Sequence, residues 1–182
     1  LWREEGKSRP SSWDAPCAQL ATQGGLDDGL RWERFDKAVA EGQGGVMRAI
    51  ARGMGADAAA MANTYTTYND APTADVAGWP KTARSRLVAS WALARLAKTS
   101  PDQAEALLPG VAQALGFNAD ERARVLYPIA LWTVASYGPQ SARRLAALAG
   151  RCLRCGPMIW RRCRCGRLWR AILRWIGRRW MM

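Results

Sequence analysis

Ser100-Pro101-Asp102-Gln103-Ala104-Glu105-Ala106-Leu107-Leu108-Pro109-Gly110-Val111-Ala112-Gln113-Ala114-Leu115-Gly116-Phe117 decides the fold class. Its opening supplies an N-cap Ser, a Pro at the first helical position, an acid in the first turn and a capping-box Gln at the fourth place. Ala104, Leu107, Leu108, Val111, Ala112 and Leu115 recur at i, i+3, i+4, i+7, i+8 and i+11, which gathers them on one side of a helix. Gly116 followed by Phe117 is a left-handed terminator with an apolar follower. A half-buried strand would alternate with period two, and this stretch does not.

Working outward, Asn118-Ala119-Asp120-Glu121 repeats the start signal and opens a helix from Ala119 to about Tyr137, striped by Val125, Leu126, Ile129, Ala130, Thr133 and Val134. Gly138-Pro139 ends it, and a last helix runs from Gln140 to about Ala149. Pro109 and Pro128 fall inside helices, where each removes a backbone donor and should introduce a kink. On the other side, Lys81 to Lys98 places Leu87, Val88, Trp91, Ala94 and Leu96 at spacings that suit a helix packed on more than one side, with Thr99 and Ser100 stopping it. Arg31 to Glu41, with Leu30, Phe35, Ala38 and Val39 near one face, precedes an interruption at Gly42, Gly44 and Gly45. Shorter helices over Val46 to Arg52 and Asp57 to about Tyr68 follow, the second broken by Asn69-Asp70-Ala71-Pro72. Serial helices joined by short turns, with no alternating segment, predict an all-α chain: a superhelix or solenoid of antiparallel helix pairs, with a compact helical bundle as the rival.

The composition separates two regions. The chain has 182 residues, 27 Lys+Arg against 15 Asp+Glu, and no His. Without His, Ser-His and Cys-His activation of a nucleophile is excluded, as is every metal site that needs imidazole. Residues 1–150 hold all 15 acids and 17 of the basic residues, whereas residues 151–182 hold 10 Arg and no acid. Residues 1–150 are therefore expected to form the helical domain, and 151–182 a distinct Arg/Trp/Cys-rich tail. The start at Leu1, without a charged segment leading into an apolar one, reads as that of a fragment without a signal peptide. No run of eighteen apolar residues suggests a membrane-spanning helix.

Four pieces of the body carry a resemblance: Trp-Glu-Arg-Phe-Asp-Lys-Ala-Val-Ala-Glu-Gly-Gln (Trp32 to Gln43), Met-Gly-Ala-Asp (Met54 to Asp57), Ala104 to Glu121, and Ile-Ala-Leu-Trp (Ile129 to Trp132). In order and spacing, the stretch from Cys17 to about Leu145 resembles the superhelical region of the soluble lytic murein transglycosylases, periplasmic enzymes that cleave peptidoglycan glycan strands. The resemblance implies a U- or ring-shaped non-catalytic scaffold, peptidoglycan glycan strands as partner, a periplasmic location and no cofactor. In that family the catalytic Glu belongs to a separate C-terminal lysozyme-like domain, in a Glu-Ser motif followed by Gly-Leu-Met-Gln. Neither motif occurs here: Glu4, Glu5, Glu33, Glu41, Glu105 and Glu121 are the glutamates, and none precedes Ser. No catalytic, cofactor-binding or metal-binding residue is therefore assigned, and the chain alone is expected to be inactive. Glu105 and Glu121 read as solvated helix-start acids rather than as general acids of glycoside cleavage.

The tail admits several readings. Cys152, Cys155, Cys163 and Cys165 supply four thiolates, but their C-x₂-C-x₇-C-x-C spacing departs from the common zinc ribbons and fingers. Interleaved Arg and Trp suit nucleic-acid phosphates and bases, yet no recognised nucleic-acid motif accompanies them, so no specific nucleic-acid partner is assigned. A helix over Leu168 to Trp180 would gather Leu168, Trp169, Ile172, Leu173, Trp175, Ile176 and Trp180 opposite Arg170, Arg174 and Arg178, as in a membrane-surface helix. The favoured reading is a shifted reading frame. Arg, Cys, Trp and Gly, whose codons carry G in the middle, make up 21 of these 32 residues. Met158-Ile159, Trp175-Ile176, Trp180-Met181 and Met181-Met182 each conceal GAT, an Asp codon, in the alternative frame. A membrane surface is then a partner only if the tail is genuine; the alternative function is a helical binding module whose tail engages membrane or nucleic acid.

Trp32, Trp79, Trp91 and Trp132 offer flat faces suited to glycan stacking, but at helical spacing in an Ala-rich chain they are expected to fill gaps between helices. Cys17 reads as a small buried residue without a disulfide partner.

Overall fold

The computed structural model describes residues 26–152 and the single position Gln19, with side chains described through Leu148. Among them are seven helices and no strand: α1 (Asp28–Glu41), α2 (Gly44–Ala51), α3 (Ala56–Asp70), α4 (Ala83–Thr99), α5 (Pro101–Leu115), α6 (Ala119–Ala135) and α7 (Ser141–Cys152). They pack as antiparallel neighbours, so the expected all-α class is what the described residues adopt. The chain divides into two units, residues 1–132 and 133–182.

In the first unit α4 is the hub: α1, α3 and α5 pack against it, while α2 lies between α1 and α3. The two faces of α4 look into two cores. Val88 joins Phe35, Val39, Met47, Ile50 and Tyr65 from α1 to α3. Ala89, Ala92, Leu93 and Ala97 join Leu108, Val111 and Leu115 of α5, Phe117, and Val125 and Ile129 of α6. This explains why α4 shows apolar residues on more than one side instead of a single stripe. α5 is the opposite case: Ala104, Leu108, Val111, Ala112 and Leu115 are all buried, as its periodicity requires. Each fully buried Val or Leu is worth roughly 1.5–3 kcal/mol.

Local chemistry fixes the helix ends. Gly42 and Gly116 both take the left-handed conformation, at φ 73° and 71°. After α1, the Gln43 amide donates to the Ala38 carbonyl and the Gly42 amide to Val39; after α5, the Phe117 amide donates to Ala112. The Gln43 and Phe117 bonds are the six-to-one bonds of a Schellman ending, and the Gly42 bond is its five-to-two companion. Gly44 and Gly45, expected to prolong the break, instead form the first turn of α2, so the interruption is confined to Gly42 and Gln43. Both α5 and α6 continue through Pro109 and Pro128.

Ser100 departs from expectation. Its side chain makes no capping bond, and its ψ of 75° is far from the extended value that aims a hydroxyl at the following amides. It is the single residue between two helices, with its amide donating to Leu96 at the end of α4 while its carbonyl accepts from Ala104 of α5. Serving both ends leaves no freedom for the cap.

In the second unit, Tyr137 has a positive φ of 55°, unusual for a residue other than glycine. The Gly138 amide donates to the Thr133 carbonyl, and the Ser141 hydroxyl donates to the Gly138 carbonyl at 2.5 Å. Arg144 of α7 is buried and donates from Nη1 to Thr133 Oγ1 at 2.5 Å, tying α7 to the last turn of α6.

Candidate functional site

Glycoside cleavage needs a carboxylic acid at the scissile oxygen. Asn118 and Glu121 form a reciprocal capping box: the Glu121 amide donates to Asn118 Oδ1 at 2.9 Å and the Asn118 amide to Glu121 Oε2 at 2.8 Å. The other carboxylate oxygen, Oε1, accepts from Arg86 Nε at 3.1 Å, and the Glu121 side chain is only 10% exposed. The first-turn position follows the sequence reading; the solvation does not. Glu121 is a buried clasp between α4 and the start of α6, because Arg86 on α4 faces the cap. Both its oxygens are held by structural partners. Glu105 is half-buried on α5, and Glu33 and Glu41 are exposed on α1. Glu4 and Glu5 lie outside the described residues. Among the described residues no group of three or more His, Cys, Asp or Glu gathers where it could hold a metal ion, and no helix is long and apolar enough to cross a membrane.

Trp79 meets Tyr65 and Tyr68 edge to face, with ring centroids 4.8 and 4.9 Å apart. Trp32 packs against Phe35 at 5.1 Å, and the Arg84 guanidinium lies 4.4 Å from its ring centroid. The same guanidinium forks onto Asp36, Nε to Oδ1 at 2.7 Å and Nη2 to Oδ2 at 3.1 Å. Arg124 lies over Trp91 at 5.1 Å and donates from Nη1 to Ser90 Oγ at 2.6 Å. Trp32 on α1, Trp91 on α4 and Trp79, which lies between α3 and α4 rather than at a helical position, are thus packing residues, and the first two are roofed by arginine. Trp132 is 41% exposed.

The residue that sequence reasoning missed is Arg95. It reaches back from α4 to donate to the Val39 carbonyl at 2.7 Å, at the negative end of α1, and from Nη2 to Asn69 Oδ1. Asn69 donates to Asp70 Oδ1 at 3.2 Å, and Asp70 Oδ2 accepts from Arg48 at 2.7 Å. Burial pushes the Arg95 pKa down, while the nearby Asp70 charge works in the other direction. A Cβ on Gly42 would stand 2.9 Å from Arg95 Cδ, and one on Gly44 2.8 Å from Asp70 Oδ1. The glycines expected only to interrupt a helix therefore also make room for this network. Their clustering one to four residues past the end of α1 was the signal available.

Cys17, Cys155, Cys163, Cys165 and the segment Leu168 to Trp180 lie outside the described residues; of Cys152, the backbone closes α7. The zinc, nucleic-acid, membrane and frameshift readings all fall on residues 151–182, of which only the backbone of 151 and 152 is among the described residues.

With this geometry in hand, the chain can be set beside known proteins. It resembles part of a lytic transglycosylase. The solved structure is the 70-kDa soluble lytic transglycosylase in complex with bulgecin A, matched with a TM-score of 0.71 at 22% identity. The likeness covers 81% of this chain but 25% of that enzyme, so the chain spans about a quarter of its length. At that identity the likeness is one of fold, and the helical resemblance read from the sequence is borne out at that level. No protein-family model matches the sequence, and no curated protein matches it.

Proposed function

We propose that the helical chain is a non-catalytic scaffold segment of a periplasmic lytic transglycosylase acting on peptidoglycan, with glycan-strand cleavage performed by a lysozyme-like domain encoded elsewhere. The observation that carries this reading is the fold likeness, at a TM-score of 0.71, to part of a soluble lytic transglycosylase. The acids support it: Glu121 is engaged on both oxygens, and neither the Glu-Ser nor the Gly-Leu-Met-Gln motif occurs in the sequence. In this reading residues 1–150 are the scaffold, and residues 151–182 are the product of a shifted frame.

Nucleotide sequencing across codons 151–182 and beyond tests the proposal. The expected result is a mixed-charge helical continuation in the alternative frame, leading to a lysozyme-like domain with its Glu-Ser motif. An alternative frame that encodes no such continuation overturns it. A stand-alone binding module would instead attach to anionic vesicles or nucleic acid, lose that attachment steeply as salt rises, and lose it altogether on deletion of residues 151–182.

A further inference from the structure

We draw no further inference here: the strongest candidate, the surface patch along α4 where Arg84 covers Trp32 and Arg124 covers Trp91, carries nothing, because both guanidinium groups are already held by Asp36 and Ser90 and nothing in the structure shows what covers it.

Discussion

On one side of α4, Trp32, Phe35, Tyr65 and Trp79 meet edge to face, and the polar tip of Tyr65 is answered by Ser85 Oγ at 2.7 Å. On the other side, Leu93, Leu108, Val111, Leu115, Val125 and Ile129 make up most of the core, with Tyr68 and Phe117 buried in the same cluster. The difference teaches how each half is specified. On the aliphatic side, stripes at helical spacing mark most of the buried residues. The aromatic side needs particular partners: Ser85 bridges Tyr65 and the Pro80 carbonyl, Arg84 stacks on Trp32, and Arg95 closes the end of α1. It is held by directional contacts as well as by volume.

Truncating one large residue on each side gives the largest expected effects. Phe35→Ala should cost about 4 kcal/mol and Leu115→Ala about 3 kcal/mol, read as shifts in denaturant midpoint at unchanged slope. Equal losses, or a larger loss at Leu115, would break the contrast. The glycines sharpen it with opposite signs. Gly42→Ala meets both a left-handed φ and the Arg95 side chain and should lose about 2 kcal/mol. Gly110→Ala, inside α5 with nothing within 4 Å of the added carbon, should gain about 0.7 kcal/mol.

The tyrosines form a finer pair. Tyr65→Phe removes the bond to Ser85 and should cost about 1 kcal/mol, whereas Tyr68, whose buried hydroxyl has no hydrogen-bond partner, should tolerate Phe with no loss or a small gain. Burial raises the Tyr68 pKa in the fold, so its ionisation favours the unfolded chain as pH climbs past about 10. The Tyr68→Phe variant should therefore resist alkaline unfolding better than the parent in a pH titration of helical circular dichroism. The smallest contrast lies at two helix starts: Asn118→Ala should cost about 1 kcal/mol and Ser100→Ala close to none, because only Asn118 makes the side-chain cap.

The same contrast explains what was legible in the sequence. α5 was readable from Pro101 to its terminator because it buries one stripe, although Ser100 makes no side-chain cap, and the capping box at Asn118 and the Gly116 ending appear as their residue types imply. α3 was harder to delimit. It buries Ala62, Tyr65, Thr66, Tyr68 and Asn69, too broad a face for a stripe, and Thr64, Thr66 and Thr67 donate to their own helix carbonyls four residues back. α3 consequently runs on through Asn69 and Asp70, which read as a break but are held by Arg95 and Arg48. The Arg95 network was not legible, because nothing in a single helix says that its arginine caps another. Nor did the first-turn signature of Glu121 reveal its bond to Arg86, thirty-five residues away. Of the candidate site, the absence of the catalytic motif could be read directly; the engagement of Glu121 and the arginine roofs over Trp32 and Trp91 required the fold.

The most direct measurement compares muropeptide release from purified sacculi by two polypeptides: the 182-residue chain, and the product read through in the alternative frame after residue 150. No release is expected from the first, with its helical circular dichroism intact, and release is expected from the second. Release by the 182-residue chain that disappears in a variant of one of its own glutamates would contradict the scaffold reading.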